Sequence, residues 1–222
     1  MPKKVSRRLV IDTSVARSAT LAENPTSIAC RRFLEVVLSV CHKVVLSRDT
    51  EQEWQNVALL IRSTADEVRI RFLKDWMLAM QRRGKLLRPL VERDKPLRSK
   101  INRLGLPGNS RQEIEEDLHL VEAALAHDRI VISRDDSVHE LLRSITGNCV
   151  EIRKVVWCNP VTLADEVLEW LSKGAPVVKV WQLGSKRQIN PNPSTSPPPP
   201  ATSSRTPNSV PGPAAVARAR RL

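Results

Sequence analysis

The chain has 222 residues and a mass of 24.9 kDa, enough for one sizeable core plus appendages. No apolar run reaches the roughly 18 residues of a membrane helix, and the basic start, Met1 to Arg8, leads into too short an apolar run for a signal peptide; a cytoplasmic protein with no membrane contact is expected. The net charge of +12 and pI of about 10.2 point to a polyanionic partner, most simply nucleic acid.

Part of that charge lies near the C-terminus. Lys186, Arg187, Arg205, Arg218, Arg220 and Arg221 meet no acid after Glu169, and setting them aside leaves about half of the +12 on the rest of the chain. The cysteines, Cys30, Cys41, Cys149 and Cys158, form no CxxC pair and no Cys/His ligand spacing, so they read as buried reduced thiols. His42, His119, His127 and His139 are scattered without a zinc pattern.

Arg8-Leu9-Val10-Ile11 is a short apolar run of the kind that suits a strand buried on both faces of a parallel sheet. It runs into Asp12, Thr13 and Ser14. A carboxylate at the end of such a strand belongs at a cleft, because ligands of open α/β sheets bind outside the carboxyl ends of the strands. Glu23-Asn24-Pro25 then signals a turn, and Ile28, Phe33, Val36, Val37 and Val40 follow with helical spacing. Val44 to Ser47 reads as a second strand. Thr50 and Glu53 have capping-box spacing and open a helix with Trp54, Val57, Ala58 and Ile61 on one face. Further helix is expected from about Thr64 to Arg82, carrying Val68, Phe72, Trp76 and Met80.

The segment from Arg82 to Asn109 is basic and broken by Pro89, Pro96, Gly105, Pro107 and Gly108. It is expected to be a loop with one short helix and a substrate-facing surface. Ser110 and Glu113 form a second capping box, for a helix that reaches His127 with Ile114, Leu118, Val121 and Leu125 on one face. Ile130 to Ser133 reads as a third strand, with Asp135 and Asp136 just past its end. Ser137 and Glu140 open the next helix, and a fourth strand spans about Val150 to Trp157. After Asn159-Pro160, Thr162 caps a last helix, Leu163 to Lys173.

This alternation argues for an α/β fold, a central parallel sheet of four to five strands with helices on both faces. Beyond Gly184 the composition shifts: more than half of the 16 prolines lie there among Ser, Thr and Asn. Such a segment cannot bury enough apolar area to offset its ordering entropy. The expected organisation is one domain over 1–183, with a basic insert at about 64–109 and an extension at about 157–183, followed by a disordered tail over 184–222.

Four carboxylates stand where neighbouring strand ends and helix starts converge. Asp12 ends the first strand, Glu53 lies in the first turn after the second, Asp117 is about two turns into the helix before the third, and Asp135 follows the third. Taken singly, Asp12 and Asp135 suit helix caps, and Glu53 suits the capping box. Asp117 lies too far along its helix for the macrodipole to account for it. Acids gathered at one edge repel each other, and a hard divalent cation that takes oxygen ligands, such as Mg²⁺, removes that cost.

Together these stretches resemble the PIN domain, a family of metal-dependent ribonucleases whose best-known bacterial members are the toxins of VapBC toxin–antitoxin modules. The resemblance rests on Val10-Ile11-Asp12-Thr13-Ser14-Val15, the spacing from Ser47 to Glu53-Trp54, the run Asp117 to Leu125, and Ile130-Val131-Ile132-Ser133-Arg134-Asp135. It covers about Arg8 to Trp157. It implies a three-layer α/β/α fold. It also implies a catalytic set of Asp12, Glu53, Asp117 and Asp135, with Asp12, Asp117 and Asp135 holding Mg²⁺ or Mn²⁺ and with Ser14, Ser133 and Asp136 in support. The implied reaction is endonucleolytic hydrolysis of RNA that leaves a 5′-phosphate and a 3′-hydroxyl. The implied partners are RNA, an antitoxin protein and, as in many relatives, a second copy of the chain. The insert is longer than in the minimal toxins, and the C-terminal extension and the tail are additions.

Arg82, Arg83, Lys85, Arg88, Arg98, Lys100 and Arg103 are the candidates for phosphate contacts. Two rival readings remain. One is a PIN-like module that binds RNA or protein without cutting. The other is a phosphoryl-accepting domain, but the haloacid dehalogenase pattern needs an acid where Ser14 stands, and a response-regulator receiver needs its acceptor Asp after the third strand and a later Lys.

Overall fold

The computed structural model describes residues 5–59 and 64–185; of residues 58, 59 and 64–70 it describes the backbone alone. Five strands pair in parallel: β1 (Arg8–Ile11), β2 (Lys43–Val45), β3 (Leu86–Leu87), β4 (Ile130–Ile132) and β5 (Val156–Cys158), in the order β3-β2-β1-β4-β5. The helices are α1 (Thr13–Ser18), α2 (Pro25–Ser39), α3 (Arg48–Leu59), α4 (Thr64–Arg82), α5 (Lys95–Asn102), α6 (Gly108–Leu125), α7 (Asp136–Ser144) and α8 (Ala164–Ser172). No helix among the described residues is long and apolar enough to cross a membrane.

Successive side chains of a strand point to opposite faces, and here both faces are buried. Leu9, Ile11, Val44, Ile130, Ile132, Val156 and Cys158 join one core with α2, α3, α4 and α8. Val10, Val45, Val131 and Trp157 join the other with α5, α6 and α7. Each large apolar side chain so buried contributes about 1.5–3 kcal/mol relative to exposure. The layers are therefore helix, sheet, helix.

Strand order matters for the site. From β1 the chain adds β2 and β3 on one side, then crosses to add β4 and β5 on the other. The direction of winding reverses between β1 and β4, and the crevice at such a reversal, beyond the carboxyl ends of the strands, is where α/β sheets bind ligands. Asp12 follows β1, and Ser133 to Asp136 follow β4.

The structure corrects several local expectations. The polar stretch after Asp12 contains α1, too short to display an apolar period. The insert contains β3 as well as α5; a two-residue edge strand shows no alternation either. Residues Val150–Lys154 form a 3₁₀ turn, and only Val156–Cys158 is strand, because the chain must first descend from α7 to the sheet edge. The extension then covers that edge: Leu183 N donates to Val155 O at 2.9 Å and Gly184 N to Arg153 O at 3.0 Å. A side chain at Gly184 would meet Arg153 Cβ at 2.9 Å.

The caps differ too. α3 starts at Arg48, with Ser47 Oγ accepting from Thr50 N at 3.3 Å, so Thr50 is not the cap and Glu53 closes no capping box. α6 starts at Gly108, where the Pro107 carbonyl accepts from Arg111 N at 3.0 Å, so Ser110 lies inside the helix. Asp135, not Ser137, caps α7. α8 has no side-chain cap, and Thr162 Oγ1 reaches back to Asn159 O at 3.4 Å. Cys30, Cys149 and Cys158 are buried as expected, but Cys41 is exposed. The tail from residue 186 onward and the packing expected of Ala58, Ile61 and Val68 lie outside the described residues.

Lys85 overturns its assignment as a phosphate contact. Its side chain is buried, and Nζ donates to the carbonyls of Val37 at 2.5 Å, Leu38 at 2.9 Å and Val40. It closes the C-terminal end of α2, where carbonyls lack helical partners and the dipole favours a cation. Lys85→Met should lower stability by about 2 kcal/mol through loss of these charge-assisted bonds. The urea midpoint should fall with an unchanged slope, and an unmoved midpoint would contradict the capping role.

Candidate functional site

Asp12 directly follows β1 at the carboxyl end of the sheet and is 7% exposed. It is the N-cap of α1, with Oδ1 accepting from Ser14 N at 3.2 Å. Oδ2 accepts from Ser133 Oγ at 2.6 Å and from Ser14 Oγ. Ser14 Oγ in turn accepts from Arg134 N at 3.2 Å, and Ser133 Oγ from Asp135 N at 3.0 Å. Both serine hydroxyls thus donate to the same oxygen of Asp12. They also lace the end of β1 to the loop after β4.

Glu53 is in the second turn of α3. Its Oε2 accepts from Thr13 Oγ1 at 2.6 Å, and its Oε1 is 3.5 Å from His119 Nε2. Asp135 caps α7, and its Oδ1 takes Val138 N at 2.9 Å and Ser137 Oγ at 2.6 Å. The cap and site readings of Asp12 and Asp135 are thus compatible, since the capping bonds leave other lone pairs of each carboxylate open.

Asp117 is the electrostatic centre of this group. It is half-buried on α6 and has no hydrogen bond or ion pair among the described residues. Burial first, then the charges of Asp12, Asp135 and Glu53, push its carboxyl up to about 7. Three acids from α1's cap, α3 and α7's cap therefore act on one carboxyl from α6. The sites that lie 41, 105 and 123 positions apart are legible as one only through the fold, so the named positions, Asp12, Glu53, Asp117 and Asp135, are brought into one electrostatic neighbourhood.

Asp136 does not join them. It is exposed, both its oxygens accept from Asn159 Nδ2 at 3.1 Å, and it is not among the charges acting on Asp117. Its role is to anchor the loop that leaves β5. Among the described residues, no group of three or more His, Cys, Asp or Glu side chains is disposed to hold a metal ion. Asp12, Glu53 and Asp135 are each tied to protein donors.

The donor chemistry nevertheless fits a hard divalent ion. The set is carboxylate oxygen with serine hydroxyls beside it, and Asp117 is a half-buried carboxyl that the protein leaves without a donor. Asp12, Asp117 and Asp135 are the residues that would hold such an ion.

Most of the basic candidates have partners inside the protein. Arg98 makes a bidentate pair with the buried Glu122, both contacts at 2.7 Å. Arg88 pairs with Glu51 at 2.6 Å, and Lys100 pairs with Glu151. Arg83 donates to Leu38 O and Arg103 to Ser99 Oγ, each at 2.9 Å. Arg82 is exposed and has no partner among the described residues. The insert is thus a docked element of the fold, with Arg98 and Glu122 fastening α5 to α6.

Two site residues escaped the sequence reading. Thr13 follows Asp12 directly, and only the existence of α1 turns its hydroxyl toward α3. His119 is two residues after Asp117, a spacing that does not share a helix face, so nothing in the pattern marked it. Comparison of the chain with models of known protein families, with curated proteins and with solved structures found no significant match in any of the three.

Proposed function

We propose that this chain is a Mg²⁺- or Mn²⁺-dependent endoribonuclease of PIN type. The observation that carries the reading is Asp117: a carboxyl without a donor, held at about 7 by burial and by Asp12, Asp135 and Glu53 at the sheet's switch point. A purely structural role gives no reason to collect four acids there. When bound, a divalent cation would supply Lewis acidity, neutralising phosphodiester charge and making water a competent nucleophile at neutral pH.

The chain's own residues do the rest. Ser14 and Ser133 fix the orientation of Asp12, so its carboxylate needs no reordering when substrate arrives. Thr13 fixes one oxygen of Glu53 and leaves the other toward the site. The raised Asp117 can hold a proton near neutrality and release it as positive charge enters the crevice. The net charge of +12 draws a polyanion toward an otherwise acidic centre. If the enzyme is the toxin of a pair, its antitoxin would occupy this crevice.

A second reading is favoured by one observation, the lack among the described residues of a three-ligand group. It is a PIN-like module that binds RNA or protein without cutting. End-labelled RNA incubated with the full chain separates the two. The nuclease reading expects cleavage with Mn²⁺ or Mg²⁺, none with chelator, and products carrying a 5′-phosphate and a 3′-hydroxyl. Intact RNA under every metal condition, with retained binding, would leave the second reading standing.

A further inference from the structure

α1 has six residues, so at about 1.5 Å per residue it carries the chain about 9 Å from Asp12, its N-cap, to Ser18. Arg134, the residue after Ser133, lies along this helix. Its backbone N donates to Ser14 Oγ at 3.2 Å in the first turn, and its Nη1 donates to Ser18 Oγ in the last. Ser18 Oγ in turn donates to Ser14 O at 2.8 Å. Both ends of the arginine are therefore fixed. The rotamer freedom that a long side chain gives up on gripping a ligand is already given up on folding.

Arg134 has no carboxylate partner among the described residues. The acids of the adjoining segments are engaged elsewhere: Asp12 with Ser14 and Ser133, Asp135 with Ser137 and Val138, Asp136 with Asn159. Ser18 takes one guanidinium nitrogen, and the others are neither partnered nor buried, so they open to solvent. Arg17, in the last turn of α1, is exposed and likewise has no partner among the described residues. By contrast, Arg31, Arg32, Arg88, Arg98 and Lys100 each meet a carboxylate. A cation that only capped α1 would donate to its last carbonyls, as Lys85 does at α2. Arg134 donates to a hydroxyl instead, and the carbonyls of Val15, Ala16 and Ser18 already accept from Ala19 N and Thr20 N.

We propose that Arg134 and Arg17 bind phosphates of the RNA strand beside the one that is cut, so that the substrate leaves the acidic centre along α1 and not over the basic insert. Guanidinium suits this role, because its planar fork matches phosphate oxygens two at a time. This rests on the reading of the acids as a nuclease centre, and it assigns the path of the substrate beyond them.

The test is binding of a labelled single-stranded RNA oligonucleotide to the full chain in chelator, where nothing is cut, across a range of salt. Each phosphate contact adds about 0.7 to the slope of log affinity against log salt for a single strand. Arg134→Gln and Arg17→Gln should each lower the slope by about that much and weaken binding several-fold at low salt. Arg134→Lys keeps the charge and should restore the slope, which a merely structural role at Ser18 would not require. Arg17 is on the surface, so Arg17→Gln reports even if Arg134→Gln does not fold. Lys43→Gln makes the same charge change at the exposed amino end of β2 and should leave the slope unmoved. A chain that cuts RNA with Mn²⁺ would overturn the path along α1, and leave the proposed nuclease standing, in any of three cases: an unchanged slope in either arginine variant, an equal fall in Lys43→Gln, or no binding in chelator. A wild type that neither binds nor cuts RNA would overturn both.

Discussion

Asp12→Asn should cost at least about a thousandfold in RNA cleavage, equivalent to ~4 kcal/mol of transition-state stabilisation, while the chain stays folded. The substitution removes one negative charge and almost nothing else. Asn is as good an N-cap as Asp, so the bond from Ser14 N and the start of α1 survive. The hydroxyls of Ser14 and Ser133 that donate to Oδ2 can turn and accept from an amide instead. Folding should therefore change by less than about 1 kcal/mol. Single-turnover cleavage of labelled RNA beside circular dichroism separates the two effects. Undiminished cleavage in a folded variant would remove Asp12 from the chemistry.

Asp117→Asn should make the metal-free protein more stable at pH 8 than wild type, an unusual outcome for a change at a half-buried site. An acid whose folded pKa is raised binds more protons folded than unfolded between its ordinary 3.8 and about 7. Stability from this group is therefore present at acid pH and lost as pH climbs through that window. Three pKa units set an upper bound of about 4 kcal/mol on the loss, less whatever solvent screens. The variant lacks the titration, so it should match wild type near pH 4 and exceed it above pH 7. His42, buried, and His139, half-buried, are both held below the usual imidazole range by desolvation and slope the other way, but they are common to both proteins and cancel in the difference. Mn²⁺ should raise the wild-type melting temperature at pH 8 and leave that of Asp117→Asn nearly unmoved. A variant less stable than wild type across the whole range would mean that Asp117 is not crowded by its acidic neighbours.

The sequence is most legible where one physical rule dominates. Burial on both faces writes Leu9-Val10-Ile11 and Ile130-Val131-Ile132 as unbroken apolar runs, so β1 and β4, the strands flanking the crevice, are plain in the chain. The acids at their ends follow from the general rule for such sheets. What stays hidden is set by tertiary context. Lys85 looks like one more cation in a basic insert, and only the fold shows it capping α2 from 45 to 48 positions away. Glu53 shares spacing with Thr50, but Ser47 caps the helix and frees Glu53 for the site. β3 consists of two residues paired to Val44 and Val45, too few to show a period. Thr13 and His119 act through contacts to α3, which no spacing within their own segments encodes.

The most direct measurement is a crystal of the full chain soaked in Mn²⁺ and recorded at the manganese absorption edge. The account expects an anomalous peak within about 2.5 Å of carboxylate oxygens from Asp12 and Asp117. A fully occupied peak elsewhere on the molecule, with none at these two carboxylates, would contradict it.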